Sequence, residues 1–271
     1  MRRAHRHTKS AAPKPLELTI EEIGTHGDGI ARRNGDAVFV PYTLPGDRVL
    51  ARPVGPNHAV PQSWTVRGAI PQPPRCPHFG TCGGCALQHL EDDAYVAWKR
   101  QQLEIALSRR GIHEVDIRPV LRAAPQERRR ADFGVMRVND RVELGFHVYR
   151  GRTLVDMRDC AVLDRAIVAL LPALRGLMRD LLGNRQSADL LITRTESGID
   201  LLIGRLPEPD RDIREKIAAF AAAHDIARIA RRRSSETPEI LIQQRAPHTV
   251  FGAVTVNIPP GAFLQATKSG E

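Results

Sequence analysis

Aromatic side chains are scarce in this chain. Phenylalanine, tryptophan and tyrosine together make up 4% of it, so its core must be built from Leu, Ile, Val and Ala. At 42% hydrophobic over 271 residues, that aliphatic material suffices for one large or two ordinary domains. No apolar run approaches the length of a bilayer span, which argues against a helical membrane anchor. Residues 1–14 are basic and contain no apolar segment of the kind a secretory leader needs, so they read as a disordered arm that adds nonspecific attraction for phosphate. A soluble, cytoplasmic protein without a membrane partner is expected, and the sequence shows no internal repeat and no coiled-coil heptads. Acidic residues are outnumbered: 31 Asp and Glu face 40 Lys and Arg, a net charge of +9. A basic surface of this size attracts polyanions, and the excess of arginine suits phosphate, because a planar guanidinium fork grips it better than a point charge does. Nucleic acid is the expected partner; a generally basic proteome is the plain alternative.

Cysteine is nearly as rare, with four in all, but three are crowded into one stretch. Cys76, Cys82 and Cys85 follow a C-x5-C-x2-C spacing in CPHFGTCGGCALQH, and Cys160 lies far along in MRDCAVLD. Gly80, Gly83 and Gly84 let the backbone bend around whatever the sulfurs hold. Four thiolates suit either zinc or an iron–sulfur cluster. Zinc sites usually come as two short pairs, whereas a local triplet closed by one remote ligand is more typical of a cubane. Disulfides fit least, since no secretory signal points to an oxidising compartment. His89 could ligate a metal in principle, but four cysteines already complete a site, so a packed or hydrogen-bonded histidine is expected.

The cysteine stretch resembles the cluster-binding segment of the bacterial RNA (uracil-5-)-methyltransferases in its spacing, its double glycine and its Gln-His pair. Cys160, in DCAVLD, is similar to the family's fourth ligand. The resemblance implies a [4Fe-4S] cluster on Cys76, Cys82, Cys85 and Cys160, S-adenosylmethionine as methyl donor in the full-length family member, and ribosomal or transfer RNA as the partner of a monomer.

Further expectations follow from the rest of the chain. Residues 15–71 read as a small β-barrel of oligonucleotide-binding type. Alternation at Leu16, Leu18 and Ile20 marks a first strand. Asn34-Gly35 marks a hairpin between Ile30–Arg32 and Ala37–Val40, and strands follow at Arg48–Val54 and Trp64–Ile70. The segment resembles a TRAM domain, through the G-x-G-I-A-R and V-F-V-P patterns within Gly27–Asp47. Arg32, Arg33 and Arg48 are then candidate RNA contacts, the plain alternative for any single arginine being an ordinary solvated face. Residues 72–111 read as the cysteine loop and a helix over Leu90–Arg110, started by Asp92 or Asp93.

Residues 112–271 read as a mixed α/β domain, which makes the whole chain α+β. Strands are expected at Ile117–Leu121, Ala131–Val138, Val142–His147 and Thr153–Asp156. A helix over 163–182 must be kinked or split by Pro172. A hairpin is expected over Leu190–Thr195 and Ile199–Ile203, a helix over Ile213–Ala223, and later strands at Ile226–Ala230, Ile240–Gln243, Thr249–Ala253 and Val256–Ile258. In the run Glu127-Arg128-Arg129-Arg130, extended backbone puts Arg128 and Arg130 on one side and Arg129 on the other, so two guanidiniums can grip one phosphate backbone. The similar basic run Arg231-Arg232-Arg233 has no support from the resemblance.

Near the end, PPGAFLQAT resembles the family's F-x-Q-x-N segment, which implies that Gln265 touches S-adenosylmethionine and that Phe263 lies near the target uracil; Thr267 departs from the usual asparagine. Uracil methylation needs a thiol that adds to the ring carbon beside the one methylated. The family's late S-C-N-P segment and its glutamate base find no match, and all four cysteines are assigned to metal. Nor does a strand lead through a glycine-rich turn into a helix, as a Rossmann-type sheet requires; GTHGDG at Gly24–Gly29 lies in the barrel. The expectation is the RNA-recognition and cluster-bearing N-terminal part of such an enzyme, inactive by itself. The alternative is a stand-alone, non-catalytic RNA-binding iron–sulfur module. A radical enzyme fits poorly, because its C-x3-C-x2-C motif leaves one iron open.

Overall fold

The computed structural model describes residues 14–68, 71–234 and 236–271. The basic arm expected over residues 1–14 therefore lies almost wholly outside the described residues, as do Ala69 and Ile70. Two compact units are present. One comprises residues 1–74 and 86–120, the other residues 75–85 and 121–271.

The first unit holds a six-stranded sheet built from β1 (Leu16–Thr19), β2 (Glu22–Ile23), β3 (Gly29–Arg33), β4 (Asp36–Val40), β5 (Arg48–Gly55) and β6 (His58–Val66), in the order β1-β5-β6-β4-β3-β2. Alternate residues Leu18, Ile20, Ala31, Val38, Val40, Val49, Ala51 and Ala59 bury one face as an all-aliphatic core. The expected barrel is corrected to this extent: no ladder joins the two end strands, β1 and β2, among the described residues. Those two strands are consecutive in the chain, and the residues between them serve both neighbours. Ile20 N donates to Asp47 O at 2.9 Å and Glu21 N to Ile30 O at 2.8 Å. The last strand starts at His58, well before the expected Trp64, because Pro56-Asn57 closes a tight β5–β6 hairpin and Pro61 sits at a register shift where no ladder donor is needed.

Helix α1 (Asp92–Ser108) also belongs to this unit. Its cap is Glu91, not Asp92 or Asp93: the Glu91 carboxylate accepts from Asp93 N and Ala94 N, each at 3.0 Å. The two aspartates instead occupy the first turn, where their charge complements the helix dipole. Ala94, Tyr95 and Trp98 pack on a small cluster of Leu44, Leu87 and Leu90.

The second unit is a six-stranded mixed sheet covered by two helices. Its strands are β7 (Arg130–Val138), β8 (Arg141–Gly145), β9 (Ser187–Thr195), β10 (Gly198–Gly204), β11 (Ile226–Arg232) and β12 (Glu239–Gln243), ordered β12-β11-β10-β9-β7-β8. Only β10 and β11 are parallel, as expected of strands joined by a crossover helix, α3 (Arg211–Ala223). Helix α2 (Arg165–Leu181) runs unbroken through Pro172, so the expected split does not occur. Its buried face of Ile167, Leu170, Leu171, Leu174, Leu177 and Met178 offers about 1.5–3 kcal/mol per large side chain, enough to outweigh a single proline penalty of about 3 kcal/mol.

Two expected strands are absent. Residues 117–121 form none, and Leu121 is 92% exposed. Residues 153–156 contribute only the isolated His147–Leu154 bridge. Residues 117–121 pair with no strand, whereas residues 153–157 run along the outer side of β8 and the residues after it, Val155 N donating to Phe146 O at 2.8 Å and Met157 N to Leu144 O at 2.9 Å, without forming a continuous strand. A final hairpin, β13 (His248–Phe251) and β14 (Val254–Asn257), stands as its own two-stranded sheet. Among the described residues, no helix is long and apolar enough to cross a membrane.

Candidate thiolate site and nucleic-acid interface

All four cysteines fall in the second unit, and none forms a disulfide. The local triplet is shaped by backbone hydrogen bonds. Phe79 N donates to Cys76 O at 3.1 Å, and Cys82 N to His78 O at 2.8 Å, so the chain coils tightly between the first two sulfurs. Gly80, at φ +87, makes the turn at no steric cost. Cys82 then bridges Val148, and Gly83 N donates to His147 O at 2.9 Å. A Cβ on Gly83 would meet His147 O and Tyr149 Cα, each at 3.0 Å, and both are backbone atoms that cannot swing aside.

Cys76, Cys82 and Cys160 are buried, and Cys85 is half-buried. Burial pushes the Cys82 and Cys160 thiols up. Backbone N–H groups oppose this, from Gly84 at Cys82 and from Val162 and Leu163 at Cys160. Gly84 N lies 3.4 Å from Cys82 Sγ. Each of the two also feels the other cysteines: Cys82 is raised by Cys85, Cys76 and Cys160, and Cys160 by Cys76 and Cys85. The remote cysteine thus stands within electrostatic reach of the triplet. Three of the four sulfurs are buried, and N–H donors face those of Cys82 and Cys160, chemistry that would suit a thiolate-held metal group. Among the described residues, no three His, Cys, Asp or Glu side chains are gathered closely enough to hold a single ion.

His89 belongs to the first unit. It is buried, and its pKa is lowered to about 4. Burial is the chief cause and Arg67 adds to it, while Asp47 and the Tyr42 backbone oppose. Its imidazole is a neutral core group at pH 7.

The basic run alternates in burial as extended backbone requires. Arg128 is exposed and Arg130 half-exposed, whereas Arg129 is 5% exposed. The Arg130 guanidinium lies 5.5 Å from the ring centroid of Phe263, which is 76% exposed. Gln265 is exposed as well, and its backbone carbonyl accepts from Arg129 Nε at 3.2 Å. The structure therefore brings Arg128, Arg130, Phe263 and Gln265 into one neighbourhood, although well over a hundred residues separate the two segments in sequence.

Arg129 is the residue that the sequence pattern assigned to the far side without a role. It also pairs with Glu271, and its backbone N donates to Ala266 O at 2.8 Å. Elsewhere, exposed Arg32 pairs with Glu21 and Glu22 at 3.6 and 3.8 Å, and Arg33 and Arg48 are exposed on the sheet of the first unit. Of the second basic run, Arg231 is buried in ion pairs with Glu208 and Glu239 and is structural.

Comparison with known proteins places these features in context. The TRAM domain model matches residues 14–52. Over 95% of its length the chain is 36% identical to a protein of Brucella suis named an uncharacterized RNA methyltransferase, covering 60% of that protein. A protein of Caulobacter vibrioides with the same description is 37% identical over 94% of this chain and 62% of its own. The 23S rRNA (uracil(1939)-C(5))-methyltransferase RlmD of Bordetella avium is 36% identical over 77% of this chain and 46% of its own. The chain is homologous to RNA methyltransferases of this kind and spans about 60% of the length of the first of them.

Proposed function

We propose that this chain is the RNA-recognition and [4Fe-4S]-binding portion of an S-adenosylmethionine-dependent RNA (uracil-5-)-methyltransferase acting on 23S ribosomal RNA. What supports the reading is that Cys160 shares one unit with Cys76, Cys82 and Cys85 in a chain homologous to RNA methyltransferases. A cubane gives each cysteine its own iron, so its four sulfurs need to stand only within each other's reach, not at the close spacing set by bonds of about 2.3 Å to one zinc. Such a cluster supplies a rigid inorganic cross-link between the loop at 76–85 and the loop at 160.

The N-terminal sheet adds sequence-independent grip, because guanidiniums such as Arg33 and Arg48 neutralise phosphate. Arg128 and Arg130 hold the RNA backbone beside Phe263, whose exposed ring offers a face on which a base can stack. Gln265 lies one alternation further along, where it faces S-adenosylmethionine in the complete enzyme. With all four cysteines engaged in the metal site, no thiol remains to add to uracil, so this sequence binds RNA without methylating it.

Anaerobic purification with iron and sulfide assays tests the metal. Iron and sulfide in equal amounts with a broad absorption near roughly 400 nm are expected; zinc alone would overturn the cluster. Titration with a 23S rRNA fragment and labelled S-adenosylmethionine tests the remainder. Binding without methyl transfer is expected, and methylated uracil would overturn the reading.

A further inference from the structure

The loop that carries Cys160 is joined by backbone hydrogen bonds to the basic strand, and the basic strand is joined to the segment of Phe263 and Gln265. Arg128 N donates to Val162 O at 3.1 Å, and Asp164 N donates back to Arg128 O at 2.9 Å. Val162 and Leu163 also supply the amides that face Cys160. One residue on, Arg129 N donates to Ala266 O at 2.8 Å, its side chain donates to Gln265 O at 3.2 Å, and it pairs with Glu271. Arg129 O in turn accepts from Arg194 N at 2.7 Å, which fixes the crossing to β9. Glu127 completes the tie by accepting from Ser269 Oγ at 2.9 Å.

We infer that Arg129 is a positioning residue: it makes the placement of Phe263 and Gln265, and of the Arg128 and Arg130 guanidiniums beside them, depend on whether the thiolate site around Cys160 is closed. The inference rests on the reading of that site as a metal centre. The physical reason is that residues 160–164 carry, in one short segment, Cys160, the core residue Leu163 and the backbone that bonds Arg128. Helix α2 begins only at Arg165 and is capped by Asp164, the same residue that bonds Arg128. When Cys160 is held, the Val162 and Asp164 backbone is held, and the partner strand is registered against it. When Cys160 is released, Leu163 still holds the segment in the core, but the two bonds to Arg128 lose one of their two anchors. Arg129 passes that freedom directly to residues 265–266, because its buried guanidinium has no solvent to turn to and moves with its strand. RNA affinity at the exposed face is thereby coupled to occupancy of a site that touches no RNA.

Hydrogen–deuterium exchange on the full chain, with and without removal of its metal by a chelator, is the direct test; iron and sulfide content is measured in both states. Metal removal should speed exchange in peptides covering 127–130 and 263–267 while β10 stays protected, and should weaken a fluorescent 23S rRNA fragment on the order of tenfold. Arg129→Met should keep the metal and its visible band, weaken the RNA to a similar degree, and lose much less on chelation than the wild type, the non-additivity expected of two changes on one path. Arg129→Lys, which can serve one of the two acceptors, should restore part of the loss. A chain that takes up metal but shows unchanged exchange at 263–267 on its removal overturns the coupling alone, and so does exchange that rises everywhere, β10 included. A chain that takes up no metal at all overturns the thiolate site and the coupling with it.

Discussion

Histidine 89 shows how burial decides the role of a single side chain. Beside a cysteine cluster it invites reading as a ligand, yet it lies in the first unit, held neutral with a pKa of about 4. The sign of the consequence follows. A histidine whose folded pKa is depressed contributes stability that is fully present above its unfolded value of about 6.5 and is lost as pH falls towards 4. Over that window the loss amounts to at most about 3 kcal/mol. Urea unfolding of wild type and His89→Leu between pH 7 and pH 4 should show the wild type falling more steeply; parallel curves would remove His89 as the cause. Alternation read from the sequence correctly placed Arg128 and Arg130 on the outward side. The burial of Arg129 was legible from the same pattern, but its partners Gln265 and Glu271 were not, because no local rule links residues so far apart.

Among elements, the cysteine loop carries a steric constraint. Gly83 runs so close to the His147–Tyr149 backbone that a Cβ would force it to shift. Gly83→Ala should therefore cost about 1–3 kcal/mol, as overpacking does, and should lower iron content with it. Thermal melting together with iron analysis of the purified variant measures both; full iron content at an unchanged Tm would show that the loop has slack. Gly80→Ala should be milder, since nothing lies within 4 Å and only the positive φ is penalised. The helices were largely readable from periodicity and capping chemistry. Pro172 was misleading because the sequence shows the lost hydrogen bond but not the core contacts that outweigh it. Residues 117–121 misled in the opposite way: their composition suits a strand, but they pair with no neighbour, while residues 153–156 pair only in part beside β8.

Taken as a whole, the chain carries +9 over two units, but its surface charge is less free than the count suggests. Arg32 is shared with Glu21 and Glu22, and Arg231 is consumed internally. If Arg33, Arg48, Arg128 and Arg130 make the phosphate contacts, the logarithm of RNA affinity should fall with the logarithm of salt at a slope of about −3, and Arg128→Ala should flatten it by about 0.7. Anisotropy titrations from low to moderate salt give both slopes; a slope near zero would remove charge as the basis of binding. The sequence by itself determined the sulfur count, the aliphatic core and the alternation of the strands, because these depend on residue type and local spacing alone. Only the tertiary structure decided that Cys160 falls in the same unit as the triplet, that Phe263 meets Arg130 and that Arg129 bonds residues 265 and 266. Long-range pairings of this kind are set by which strand edges and core faces are left for each other once the local elements have formed.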